Sequence, residues 1–411
     1  MRSINLMILF VVLTMFSCSQ NEQPNNTETT PYDLTEIPEL LDRSPAIQNG
    51  NEWETVQNVY GKNRDYLLKG KSTNKARLDL AQLFMNEARV TGEHGHYYPA
   101  ALKMLDGVID TEEQDKDLLF RALSAKAGVQ LSLHNFAEAL ETAEKAVALN
   151  PYNAQIYGAL VDANVELGNY EEAVQMADKM ISIRPDLRSY ARVSYLREIH
   201  GDVEGSIEAM ELSVSAGYPG YEQTSWAQLT LGHLYANYGQ EEKAEQVYKL
   251  ALEQRPNYPF AIAALADLEM QKANYEKAEE LLKQACDIIP EVGFYEQLAH
   301  VYKETGRTEE MKSLTDEIFV MLADDEASGH VMNLEYAAIY TDLLADYDKA
   351  LEYAMKEYKK RPENIDVNGA LAKIYHLKGE SEKAQQFLAA ASRTNAQYPE
   401  LMELKGALAS L

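Results

Sequence analysis

The stretch YGALVDANVELGNYEEAVQMADKMISIRP, residues 157–185, decides the fold, because its pattern of small, aromatic and proline positions returns at nearly constant spacing towards the C-terminus. It reads as a helical hairpin. One helix ends at Leu167-Gly168-Asn169, and a second runs from Tyr170 to Ile183, stopped by Pro185. Gly168 suits the left-handed position that closes a helix. Asn169 is placed to cap the next one, and Glu171 and Glu172 stand at its positive end.

Working outward, Gly168, Gly201, Gly239, Gly306 and Gly379 stand at equivalent bends, with His134, Ala273 and Ala345 in the same place elsewhere. By subtraction of residue numbers, successive bends lie 34, 33, 38, 34, 33, 39 and 34 residues apart. Five positions after the bends come Ala139, Ala173, Ser206, Ala244, Ala278, Ala350 and Ala384, with Met311 the exception; small side chains there let helices approach closely. Pro151, Pro185, Pro256, Pro290 and Pro362 follow seventeen residues after a bend and end the second helix. The longer spacings place extra residues at 216–223 and 323–329, expected as exposed turns or a lengthened helix.

A period near 34 built of paired helices resembles the tetratricopeptide repeat family. Leu231-Gly232-His233-Leu234-Tyr235, then Ala244, Tyr248, Ala251 and Pro256, fit that family's motif nearly throughout. The resemblance implies an all-α, right-handed superhelical solenoid of about nine repeats over residues 75–396, the first of them degenerate, from about Lys75 to Glu113. Residues 36–74 are expected as an N-terminal helical cap, with helical pattern from near Ile37 and an apolar stripe of Trp53, Val56, Val59 and Tyr60. Leu78, Ala81, Leu83 and Phe84 belong to a following helix. Residues 397–411 are expected as a C-terminal capping helix with Leu401, Leu404 and Leu408 inward.

The chain has 411 residues, 46% of them hydrophobic, and a formal charge of −27. Such a surface repels phosphate backbones and anionic headgroups, which argues against nucleic acid as a partner. Arg2 followed by the apolar run Leu6–Phe16 reads as an export signal over residues 1–17. Met15-Phe16-Ser17-Cys18-Ser19 resembles a bacterial lipobox, although Met15 stands where leucine is usual. That resemblance implies acylation of Cys18 and a lipid-anchored place in the bacterial cell envelope, on the outer membrane; ordinary signal cleavage is the alternative. Residues 18–35, polar and poor in apolar side chains, read as a flexible tether spanning about 20–25 Å.

Catalytic motifs are lacking: no phosphate loop, no GxSxG, no HExxH and no zinc-ligand cysteine pattern, so a non-enzymatic chain without cofactor is expected. His94 and His96 lie in what reads as a loop before Pro99, which would open the next helix. Two imidazoles one residue apart can share an ion, but no Cys or carboxylate cluster at ligand spacing completes a set, so no metal is expected. Cys286, in an apolar helix, reads as a structural thiol.

Function then falls to the surface the stack presents. In the tetratricopeptide family the ninth position of each first helix points into a concave groove; here the row is Gly128, Asp162, Tyr195, His233, Asp267, His300, Ile339 and Lys373. Arg188, Arg192 and Trp226 lie near its middle, and Arg and Trp are favoured at binding hot spots. Relatives that grip a terminal carboxylate use five basic and Asn positions. Arg188 and Arg192 match two of them, while Ser124, Gly128 and Ala159 replace the others. The expectation is an interaction scaffold holding a peptide or protein of the envelope in this groove, a small-molecule ligand being disfavoured. The alternative is a SusD-like lipoprotein capturing glycans or peptides for an outer-membrane transporter. Those relatives carry long insertions, whereas two spacings here exceed the rest by only about five residues, which favours the scaffold.

Overall fold

The computed structural model describes residues 33–111 and 115–409. The signal, Cys18 and nearly all of the tether expected from sequence lie outside the described residues. After an entry segment with two short 3-10 turns, Leu34–Glu36 and Pro45–Ile47, twenty α-helices follow. The first is α1 (Glu52–Leu68), and the nine pairs begin with α2 (Thr73–Thr91) and α3 (His94–Ile109), then α4 (Lys116–Ser132) and α5 (Phe136–Leu149). Next come α6 (Ala154–Leu167) with α7 (Tyr170–Ile183), α8 (Leu187–Ile199) with α9 (Val203–Ser215), and α10 (Glu222–Asn237) with α11 (Glu241–Gln254). The last pairs are α12 (Pro259–Gln271) with α13 (Tyr275–Ile288), α14 (Val292–Glu304) with α15 (Thr308–Ala327), α16 (Asn333–Asp342) with α17 (Tyr347–Lys360), and α18 (Ile365–Leu377) with α19 (Ser381–Ala391). The closing helix is α20 (Pro399–Ala409), which buries Leu401 and Leu408 against the last pair.

The bends are where the periodicity puts them, and the reason is steric. Gly168 has φ +83°, and His134, Ala273 and Ala345 adopt the same left-handed conformation at +58°, +57° and +52°. The Asn169 amide then donates to the Asn164 carbonyl, closing the end of α6. Asn169 does not cap α7 with its side chain, contrary to expectation; its amide group turns back to Asn164 Oδ1 at 3.2 Å. Ala139, Ala173, Ser206, Ala244, Ala278, Ala350 and Ala384 are all fully buried at the crossing of paired helices. At the α8–α9 crossing the approach is close enough for Ser194 Oγ to donate to the Ser206 carbonyl at 2.8 Å. Each of the five prolines stands two residues beyond the end of a second helix.

Two expectations near the N-terminus are corrected. No α-helix begins at Ile37; the chain runs extended as far as the turn before α1, pinned by Tyr60 Oη to the Pro38 carbonyl at 3.0 Å and by the Leu41 amide to Tyr97 Oη at 3.0 Å. The segment around His94 and His96 is not a loop. It is the first turn of α3, so Pro99 sits at the sixth helical position rather than the first. Of the two insertions, residues 216–221 form a turn with Tyr218 and Tyr221 exposed and 222–223 open α10, while residues 323–327 lengthen α15 by more than a turn.

Repeat register gives no hint that the superhelix comes round and lands on itself. His134 Nδ1 meets the Val331 carbonyl at 3.0 Å, Asn364 Nδ2 donates to the Glu166 carbonyl at 3.1 Å, the Ile365 amide donates to Tyr170 Oη at 2.9 Å, and Gln397 Nε2 donates to the Gly201 carbonyl at 3.2 Å. These partners are 197, 198, 195 and 196 residues apart. Each bend of an early repeat therefore docks on the loop that follows a late repeat, at constant offset. Arg361 adds an ion pair to Glu166, and Val161, Val165, Tyr170, Leu196 and Ile199 share one apolar cluster with Ile365, Ala391 and Leu401. The entry segment is locked in the same way: buried Arg43 binds Glu52 and Glu87, and buried Arg255 binds Glu52 at 2.9 Å.

Candidate functional site on the inner face

First helices present their inner stripe to the axis of the superhelix. Gly128, Asp162 and Tyr195 from α4, α6 and α8 line a cavity of about 790 Å³, together with Arg188, Arg192 and Trp226. The row expected from sequence is thus brought together in its first half. Trp226 is 44% exposed and Tyr195 38%, so neither ring serves as core. Tyr195 is nonetheless walled in by the opposite turn, where burial and the carboxylates of Asp366 and Glu166 push its phenol well above the usual range.

The second half of the row is not part of this cavity. His233 shares a hydrogen bond with Tyr248 Oη at 3.0 Å, and Lys373 pairs with Asp342 at 2.8 Å. Asp267 and His300 are half-buried further along the stack; burial raises the Asp267 carboxyl to about 7 and lowers the His300 imidazole. Ile339 is a correction: it is 1% exposed and packs with Leu298 and Leu343. The cause is the bend after α16, where the Asp346 amide reaches back six residues to Tyr340. The bends from α4–α5 to α14–α15, and that of α18–α19, close over five, as from Gln240 to Tyr235. One extra residue rotates the register of α16 and turns Ile339 into the core.

Arg192 is also not what its position suggested. Its Nε and Nη2 grip Asp162 at 2.8 and 2.5 Å, and Nε also meets the Gly158 carbonyl at 3.1 Å. The fork is filled by a neighbouring repeat and is not open to a partner's carboxylate. Arg188 is different: it is exposed, and its contact to a side chain is Nη2 to Gln223 Oε1 at 3.3 Å. Burial lowers its pKa, Asp186 opposes this, and Arg192, Arg89 and Arg184 add to the lowering as like charges. Arg89, on α2, lines the same cavity and lies on the inner stripe Gln82, Met85, Asn86, Arg89, which the degenerate first repeat had concealed. Glu166, Glu198 and Glu222 line the cavity as well, and burial pushes the carboxyls of Glu166 and Glu198 up. One cavity thus gathers guanidinium and carboxyl groups among the rings of Tyr98, Tyr195 and Trp226.

His96 Nε2 meets the Glu39 carbonyl at 2.9 Å, whereas the His94 ring stacks on Tyr98, so the two do not share a site. Cys286 is half-buried, and burial with the neighbouring Asp287 pushes its thiol up to about 12, leaving it protonated and inert at neutral pH.

Tetratricopeptide repeat models match residues 130–197, 227–258, 261–292 and 344–408, the second and third of which coincide with the pairs α10–α11 and α12–α13. The chain is a tetratricopeptide repeat protein. A curated relative, tetratricopeptide repeat protein 21B of Xenopus laevis, is 28% identical over 184 residues, 40% of this chain. The chain spans 14% of that protein's length. Among solved structures, the human IFIT1 dimer with m7Gppp-AAAA is 12% identical with a TM-score of 0.49, covering 84% of this chain and 86% of that one. PilW, described as a widely conserved type IV pilus biogenesis factor, is 17% identical with a TM-score of 0.41, covering 49% and 92%. At such identities the likeness concerns the fold alone. Tetratricopeptide repeat proteins are generally non-catalytic, and the fold is one that serves protein or peptide binding.

Proposed function

We propose that this chain is an interaction scaffold of the bacterial cell envelope, tethered through an acylated Cys18, that receives a peptide segment on its inner face. The observation that carries the binding site is this cavity of mixed charge. Arg89 and Arg188 approach one another from α2 and α8 closely enough to act as like charges, beside an exposed Trp226. In a chain of net charge −27 that is an unusual local field. A guanidinium pair in a partly enclosed site binds a carboxylate by charge-assisted hydrogen bonds, and an exposed indole adds contact area. Glu198 would meet an amide or basic group of the same segment, Glu166 being held by Arg361. The anchor rests on the sequence alone, on the apolar run before Ser17-Cys18.

The test is co-purification from detergent-solubilised membranes, followed by affinity measurement with the captured partner. Arg188→Ala and Trp226→Ala are each expected to weaken binding by about 2 kcal/mol with helicity unchanged. Unchanged affinity in both variants would move the site off the inner face. For the anchor, Cys18→Ser is expected to release the protein into the soluble fraction, since the acyl chains would supply the membrane affinity; a variant that still sediments with membranes would refute it.

A further inference from the structure

We propose that His94, Asp325 and His330 form a binding site for a divalent transition-metal ion of the zinc class, joining the first turn of the superhelix to the second. One ligand atom from each residue lies within 4.8 Å of the other two. His330 Nδ1 stands 4.0 Å from Asp325 Oδ1, and the His94 and His330 ring centroids are 5.9 Å apart. His330 is only 8% exposed, and its Nδ1 has no hydrogen-bond partner. A buried ring nitrogen without a hydrogen-bond partner, 4.0 Å from a carboxylate oxygen, stands where a ligand to a shared cation would stand.

The fold builds this meeting. Gly95 follows His94 in the first turn of α3 and lies against Ser328 at the end of α15, where a Cβ would come within 2.9 Å of Ser328 Oγ and turn that hydroxyl aside. Asp325 belongs to the added length of α15, and His330 follows the left-handed Gly329. The lengthened helix therefore serves to carry a carboxylate across to α3. By subtraction, Asp325 and His330 are 231 and 236 residues from His94, beyond the reach of any motif.

Asp324, Glu335 and Glu291 lie close enough to Asp325 to act on it as like charges, so the pocket gathers negative charge around the two imidazoles. Two imidazole nitrogens favour zinc over calcium or magnesium, and a third protein ligand leaves a fourth position for water. Tetrahedral ligands about 2.0–2.1 Å from zinc lie about 3.3 Å from each other, so closing on the ion asks for side-chain rotations of about 1 Å.

The experiment uses the full chain without a histidine tag, stripped with chelator and titrated with zinc chloride by calorimetry and with cobalt chloride by visible absorption. One equivalent is expected, with tetrahedral cobalt bands and a rise in unfolding midpoint. Asp325→Asn and His94→Asn are expected to lose more than the roughly 10–100-fold that altering a supporting group costs; His96→Ala is expected to bind as the parent does. Asp325→Asn keeps the size of its side chain, so circular dichroism separates loss of the site from loss of the fold. Failure of the folded parent to take up either ion would overturn the proposal, as would uptake indifferent to Asp325→Asn and His94→Asn.

Discussion

Replacing Gly168 with alanine should cost about two to three times what the same change costs at Gly379. Both glycines end a first helix, with φ +83° and +76°, so an added Cβ imposes a left-handed strain of about 1–2 kcal/mol at either. Around Gly379 a Cβ would meet nothing within 4 Å. At Gly168 it would stand 2.5 Å from the backbone carbonyl carbon and oxygen of Glu363, atoms that cannot rotate away. The second turn must therefore lift, which strains the contact by a further 1–3 kcal/mol or so, as overpacking does. Lifting also loosens the Ile365 amide on Tyr170 Oη and Asn364 Nδ2 on the Glu166 carbonyl. Chemical denaturation gives the relative stabilities, and hydrogen exchange followed by mass spectrometry locates the damage. Gly168→Ala should speed exchange across residues 361–368, while Gly379→Ala should leave that segment protected. Equal shifts in the unfolding midpoint, with no local exchange difference, would mean the two turns do not bear on one another.

Arg192→Ala and Asp162→Ala should each lower stability, and the double variant should recover about 1 kcal/mol of their sum, the coupling of a forked but partly wet pair. Full additivity in thermal melts would show the pair to be idle. Asp267→Asn should stabilise the chain by about 1–2 kcal/mol at pH 8, well short of the roughly 4 kcal/mol of the full shift because water reaches the carboxyl. The sign follows from burial raising its folded pKa to about 7. The native state then holds the proton more tightly than the unfolded chain, so the burden is complete above pH 7 and fades as pH falls from 7 to the ordinary carboxyl value of 3.8. Denaturation below about pH 4 should accordingly find parent and variant alike; a gain equal at both pH values would assign it to something other than titration.

The repeat was legible because each of its devices is local. A left-handed bend, a small residue five positions on and a proline beyond the second helix all act within one hairpin, and all recur. The inner row was legible for the same reason wherever the bend was regular, and failed at Ile339, where one extra residue shifted the register. Arg192 was misread although a signal existed. Arg192–Asp162, Arg393–Glu363 and Lys378–Asp348 are all base-to-acid pairs 30 residues apart, so a base about one repeat beyond an acid should be presumed engaged. Arg89 was missed because its repeat is degenerate. The contacts between turns could not be read, since they depend on the pitch of the superhelix, a sum of small rotations that no single repeat encodes.

That self-contact alters the mechanics of the molecule. An open solenoid behaves as an extensible spring, and its repeats can unravel from either end because each leans only on its neighbours. Here the coils already touch, so the spring is at its solid length and resists further compression along its axis. Removing the last two hairpins would strip the partners from Glu166, Gly168 and Gly201, in the opposite half of the chain. Melting from the C-terminal end is thereby felt near the N-terminal end, and a nominally one-dimensional array acquires the all-or-none character of a globular protein.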